Sequence, residues 1–312
     1  MGKISKDTSE FIKAAAMFFV VIAHYSQWYV AQADSSIILT LLTKLGRYGV
    51  AMFFAISGYG LVCSAANGLD LSYFKKRLLN VYLPYVVIQG LIRIFTGREW
   101  KAGDIGSWLT GFDAWFIFVI LIFYVIFYFV WKYCAHKVTV ITIGVVLVSV
   151  VLAVLVKDEI WYATNLSFVV GIWFKVYDEK IVNILTKCGT FCYAALGAGF
   201  AMSAVIYMMT VQGNQFVYMT FKVLAAVLWA MFSLCVFEMH EPVWGIRFGI
   251  NRLGKISLEC YLLHRFVLNI IEKFALSTIV IVVVSLTVTL IGSYIVNYIF
   301  GKIRKIIIQE KL

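Results

Sequence analysis

Two residues with chemical potential share the first apolar run of the chain: Lys13, and His24 after ten intervening residues. An ionisable side chain inside such a run is expensive to place in hydrocarbon, so each needs a compensating neighbour or a functional reason. If the run is one helix, eleven steps of about 100° return to within about 20° of the starting face, roughly 16 Å further along the axis. A cation at the membrane boundary and an imidazole deep in the bilayer then lie on one stripe. That arrangement suits a phosphate-rich donor that touches Lys13 and presents its reactive end to His24, a group able to accept a proton near neutral pH. The plainer alternative has Lys13 snorkelling to headgroups or pairing with Glu10, and His24 bonding to a neighbouring helix.

Three further stretches carry candidate residues. Phe53-Phe54-Ala55-Ile56-Ser57-Gly58-Tyr59-Gly60 brings small residues, notably Ser57 and Gly58, to mid-depth of a second run, where a thin ligand or simply another helix can approach closely. Lys75, Lys76 and Arg77 form a basic cluster at the entrance to a third run, suited to phosphates and equally to anchoring at the cytoplasmic surface. In Ser257-Leu258-Glu259-Cys260-Tyr261-Leu262-Leu263-His264-Arg265, a histidine and an arginine fall about two turns into the membrane. His264 and Arg265 are expected to line the cavity of His24, with an ion pair to Glu259 or Glu238 as the alternative for Arg265. Glu238, His240 and Glu241 are read as solvated loop, and no metal site is expected.

The elements that position these residues follow from composition. The chain has 312 residues, 62% hydrophobic and 14% charged, which excludes an ordinary soluble domain. Apolar runs at 11–30, 48–66, 79–97, 113–131, 138–156, 160–174, 190–209, 221–238, 256–275 and 279–300 predict an all-α, polytopic transmembrane helix bundle of about ten spans. The runs are continuously apolar rather than alternating, which argues against a barrel. The net charge of +11 would suggest nucleic acid in a soluble protein, but here the cations sit in short clusters flanking alternate runs. They read as topology signals that place both termini in the cytoplasm. Ala31-Gln32-Ala33 imitates a signal-peptide cleavage site, but the preceding run is long, carries His24 and is entered through Asp7 and Glu10. The two prolines, Pro84 and Pro242, fall near span ends, so the helices are expected to be largely unbroken. The six cysteines fall in or near the cytoplasmic half of the spans and are expected to be free thiols.

Together the motifs resemble the acyltransferase 3 family of membrane proteins, and the resemblance spans nearly the whole chain. The family's pattern of arginine or lysine, ten residues, then histidine corresponds to Lys13 and His24, and its Phe-Phe-x-x-Ser-Gly pattern to Phe53, Phe54, Ser57 and Gly58. Softer similarities are Trp115-Phe116-Ile117, Phe168-Val169-Val170-Gly171, and Ile256-Ser257 with Tyr261 and His264. One departure matters: the family's Arg-x-x-Arg pattern falls on Arg77 and Asn80, so the second arginine is absent, with Lys75 or Lys76 as substitutes. The resemblance implies a single membrane-embedded acyltransferase domain over residues 1–312, with no appended soluble domain. It also implies acetyl-CoA or another acyl-CoA as cytoplasmic donor, and a hydroxyl of a surface polysaccharide or lipid-linked glycan as acceptor. On that reading His24 is the general base, and Lys13, Lys75, Lys76 and Arg77 bind the donor, while Ser57, Gly58, His264 and Arg265 shape the site. The expected location is the bacterial cytoplasmic membrane, in contact with membrane lipid. The rival class is a transporter or flippase of a lipid-linked glycan, which would also need intramembrane charge; an acyl-sensing protein without catalysis is a third.

Overall fold

The computed structural model describes residues 4–31, 36–66, 68–274 and 276–309. Gln32 and Ala33 of the cleavage-like tripeptide, and the flanking cations Lys3 and Lys311, lie outside these residues. In chain order the helices are α1 (Lys6–Val30), α2 (Ile37–Leu42), α3 (Leu45–Ala65), α4 (Ser72–Arg77), α5 (Leu83–Phe95), α6 (Ala102–Thr110), α7 (Trp115–Tyr133) and α8 (Lys137–Leu155). They continue with α9 (Leu166–Val176), α10 (Asp178–Met209), α11 (Gln215–Met239), α12 (Val243–Arg247), α13 (Asn251–Gly254), α14 (Ser257–Ile271) and α15 (Thr278–Gln309). No strand occurs among the described residues. A membrane offers the backbone no water to bond with, and helices satisfy every peptide group internally.

Seven of the described helical stretches are long and apolar enough to cross a bilayer: Ile37–Ala65, Ser72–Phe95, Trp115–Tyr133, Lys137–Leu155, Asp178–Met209, Gln215–Met239 and Thr278–Ile307. The other three expected spans fall on α1, α9 and α14. Helix α1 has 25 residues but carries Lys13, His24 and Gln27, while α9 has 11 and α14 has 15. Polar side chains and shortness thus coincide in the helices nearest the candidate chemistry.

These helices form the centre of the bundle. Helix α1 packs on α3, α13 and α14; α3 also packs on α9 and α11; and α14 packs on α15. The α3–α9 crossing is very close, because a Cβ on Gly58 would collide with the Phe168 carbonyl oxygen and one on Gly171 with that of Ala55. Small residues let two backbones meet in this way. Phe54, Phe123 and Phe168 fill the space between α3, α7 and α9. Helices α8, α10 and α15 form an outer layer, with only 17%, 17% and 22% of their apolar windows buried against 67% for Ile37–Ala65. Their remaining apolar surface suits lipid.

Two helices depart from the regularity expected of a chain with few prolines. Leu78–Tyr82 winds as a π-helical turn between α4 and α5. Pro84 has no N–H to offer the carbonyl of Asn80, and its ring crowds that carbonyl, so the turn ahead of it widens. Helix α10 kinks at Cys188, where φ is −133° and ψ is 28°. None of the six cysteines forms a disulfide.

Candidate active site

At the end of the bundle that carries Lys13, a cavity of about 740 Å³ opens between α1, α3, α7, α14 and α15. Its wall includes the cations Lys6, Lys13, Arg77, Lys255 and Arg304 against the carboxylates of Glu10 and Glu259. Five positive groups facing two negative ones leave an uncompensated charge that only an anionic occupant would balance. Lys13 Nζ lies 3.1 Å from Glu10 Oε1, so the pairing considered from sequence exists, on a side chain that also faces the cavity. The guanidinium of Arg77 sits 5.1 Å above both the Tyr73 and Tyr124 rings, and its Nε is buried with no hydrogen-bond partner among the described residues. Glu259 is buried, with Oε1 accepting from Asn297 Nδ2 at 2.8 Å. The cavity narrows to an aromatic floor: the Phe116 ring lies 6.0 Å from Phe53 and 5.5 Å from Tyr261.

Beyond that floor lie the two intramembrane histidines. Neither belongs to the cavity lining, but the Tyr261 ring lies 6.2 Å from that of His264. His24 Nδ1 is 2.6 Å from His264 Nε2, and His264 Nδ1 is 3.0 Å from the Cys260 carbonyl oxygen. The rings lie 11° apart in plane with centroids separated by 4.8 Å. That separation leaves, beyond the nitrogen–nitrogen bond, just the centre-to-nitrogen radii of two imidazoles. The rings therefore meet edge to edge, almost coplanar, rather than face to face.

The chain of bonds fixes the tautomers of the neutral pair. A carbonyl oxygen only accepts, so His264 Nδ1 donates to Cys260, and His264 Nε2 must carry the lone pair. His24 Nδ1 consequently donates to His264, which leaves the lone pair of His24 on Nε2. His264 is 1% exposed whereas His24 is only partly buried, so the accepting nitrogen belongs to the more exposed ring of the pair. Helix periodicity builds this stack: Ser257, Tyr261 and His264 follow one stripe of α14, as Lys13 and His24 follow one stripe of α1.

The other expected site residues separate. Ser57 lines the cavity with Arg77. Gly58 turns away from it into α9 and serves helix packing. Lys75 Nζ donates to the Ile307 carbonyl at 3.0 Å, and Lys76 borders a smaller recess with Asp70 and Ser72. Arg265 is exposed, forms no ion pair among the described residues, and lies within electrostatic reach of both imidazoles. The pairing with Glu259 or Glu238 is absent: Glu259 is taken by Asn297, and Glu238 Oε2 accepts from the Ile4 N–H at 3.0 Å. Cavity contributors that escaped sequence reasoning as site residues include Lys6, Lys255, Asn297 and Arg304, which read there only as topology signals or ordinary helix. A separate polar cluster joins Lys222 to Glu159 and to Tyr218 OH at the opposite end of the bundle. Lys222 lies inside an apolar run, and only the partner carboxylate explains it.

A helical bundle in which seven of the described stretches are long and apolar enough to cross a bilayer defines an integral membrane protein. The acyltransferase 3 family model (Acyl_transf_3, an acyltransferase domain) matches residues 8–298, and the chain belongs to that family. It is therefore a multi-pass membrane acyltransferase, moving groups other than amino-acyl groups. No match emerges among curated proteins, nor among solved structures.

Proposed function

We propose that this enzyme transfers an acyl group, in the simplest case acetyl, from a coenzyme A thioester to a hydroxyl of a surface polysaccharide or its lipid-linked precursor. The bacterial cytoplasmic membrane is the proposed location, with the Lys13 end and both termini on the cytoplasmic side. The observation that carries the reading is the His24–His264–Cys260 bond chain, because it leaves His24 Nε2 as a directed proton acceptor. Lys13 and Arg77 hold the donor phosphates through charge-assisted hydrogen bonds, and the excess positive charge of the cavity supports this. His24 lies some three turns beyond Lys13 along α1, so the Phe53, Phe116 and Tyr261 side chains part to let the acyl-bearing arm of the donor reach it.

In the reaction, His24 Nε2 takes the proton of the acceptor hydroxyl as its oxygen attacks the thioester carbonyl carbon. The carbon–sulfur bond breaks, the thiolate leaving group takes the proton from the imidazolium, and the products are an ester and the free thiol of coenzyme A. As the proton arrives on His24, its Nδ1–H bond to His264 becomes charge-assisted and strengthens. Because that gain exists only once charge has formed, it lowers the barrier rather than tightening ground-state binding. Arg265 tunes the local field, and Ser57 shapes the cavity wall.

Mass spectrometry of envelope glycans from cells with and without the protein, joined to an assay of purified protein with labelled acetyl-CoA, tests the proposal. An ester-sized mass difference that purified protein reproduces on the same glycan supports it. Glycan translocation without modification would replace it with a flippase, and thioester binding without transfer would replace it with a sensor.

A further inference from the structure

Arg304 stands on α15, 224 positions from Asn80, yet its Nη1 donates to Asn80 Oδ1 at 2.7 Å. Its Nε donates to the Phe300 carbonyl at 3.1 Å, one turn back on its own helix. Two of the five guanidinium N–H groups are thus used in aiming the side chain, and three are left for a ligand. Asn80 and Arg304 line the donor cavity beside Arg77. The anchor is a neutral amide: it directs the guanidinium without cancelling its charge, which a carboxylate in its place would do. Arg304 forms no ion pair among the described residues; the carboxylate within its electrostatic reach is Glu259, whose Oε1 is already engaged by Asn297. The widened turn at Leu78–Tyr82 places Asn80 at the point where α15 passes.

We infer that Arg304, aimed by Asn80, binds the phosphates of the donor opposite Arg77, so that the cation missing at position 80 is supplied across the bundle by the last helix. Two guanidiniums on separate helices then clamp the phosphates, a geometry that planar, forked donors suit better than ammonium groups do. Asn80 is a positioning residue and touches the donor only through Arg304. The inference rests on the reading of this cavity as the donor site.

The test measures binding of coenzyme A to the full-length protein in detergent by calorimetry, at low and high salt. Arg304→Gln is expected to weaken binding by about 10- to 100-fold, Arg304→Lys by less, and Asn80→Ala by a few-fold. Asn80→Arg combined with Arg304→Gln is expected to recover most of the affinity. The loss should shrink at high salt, while the melting temperature of the unliganded protein stays unchanged. Wild-type affinity in folded Arg304→Gln would overturn the inference, as would a loss that neither salt nor Asn80→Arg alters. If Arg304→Gln does not fold, Asn80→Ala decides, because the Asn80 side chain is exposed: unchanged affinity there rejects the positioning and with it the clamp. Failure of the wild-type protein to bind coenzyme A would instead overturn the donor reading itself.

Discussion

Replacing His264 by phenylalanine separates the imidazole pair from the rest of the site. The substitution keeps a planar ring of similar size at a position that is 1% exposed, but removes the acceptor 2.6 Å from His24 Nδ1 and the donor to Cys260. His24 then loses the bond that fixes its tautomer and ring plane, and its Nδ1–H faces an apolar edge. An unmet buried donor costs about 1–3 kcal/mol, which corresponds to a fall in kcat of about 5- to 150-fold if the bond strengthens toward the transition state. The donor KM should stay near wild type, because His264 lies beyond the Phe53, Phe116 and Tyr261 floor and outside the cavity. His264→Gln, whose side-chain oxygen still accepts, should lose less. The assay is release of coenzyme A thiol at varied acetyl-CoA with saturating acceptor, on protein whose melting temperature is measured in parallel. A folded His264→Phe with unchanged kcat, or with a change confined to KM, would refute the assignment of His264 as the residue that orients the base.

Other outcomes follow from the same physics. Lys13→Ala should raise the donor KM and Lys13→Arg should do so less; equal losses in steady-state assays would exclude simple phosphate binding at that position. Gly171→Ala should lower the melting temperature and folded yield in detergent by an overpacking cost of at least about 1–3 kcal/mol, because its methyl meets a backbone carbonyl of α3 that no side-chain rotation can clear. Glu159→Gln should destabilise by up to about 3–5 kcal/mol, more than Lys222→Met, because it strands an ammonium that is 4% exposed at its side chain; chemical or thermal unfolding compares the two. Burial alone would raise the Glu159 carboxyl, but hydrogen bonding and charge from Lys222 outweigh it and hold the group below its ordinary value. A group depressed in the folded state stabilises above its unfolded pKa and loses that contribution as pH falls through the folded one. Acid melting curves should therefore show the wild type losing its margin over Glu159→Gln below about pH 4.

What could be read from the chain was whatever a single helix contains. The apolar runs locate the long spans because hydrocarbon forces complete helices, and the Lys13–His24 stripe is visible because one axis relates both residues. The partners of those residues are not visible: His264 lies 240 positions from His24, and Arg304 lies 224 from Asn80. Adjacency misled at Lys75 and Lys76, since α4 turns one toward the Ile307 carbonyl and the other toward a separate recess, leaving Arg77 alone of the three in the main cavity. Gly58 carries a motif position yet packs against α9, because a small residue in a membrane helix signals close approach without naming what approaches. Arg265 was expected to line the cavity of His24 and is exposed: it follows His264 by one position, about 100° around α14, and so leaves the stripe that faces the bundle.

The central claim is tested most directly by the rate at which purified His24→Ala, folded and still able to bind coenzyme A, moves acetyl from acetyl-CoA to a hydroxyl acceptor. Loss of a positioned general base predicts a fall of about 10²- to 10⁴-fold in kcat at unchanged donor affinity. Transfer at the wild-type rate would contradict it.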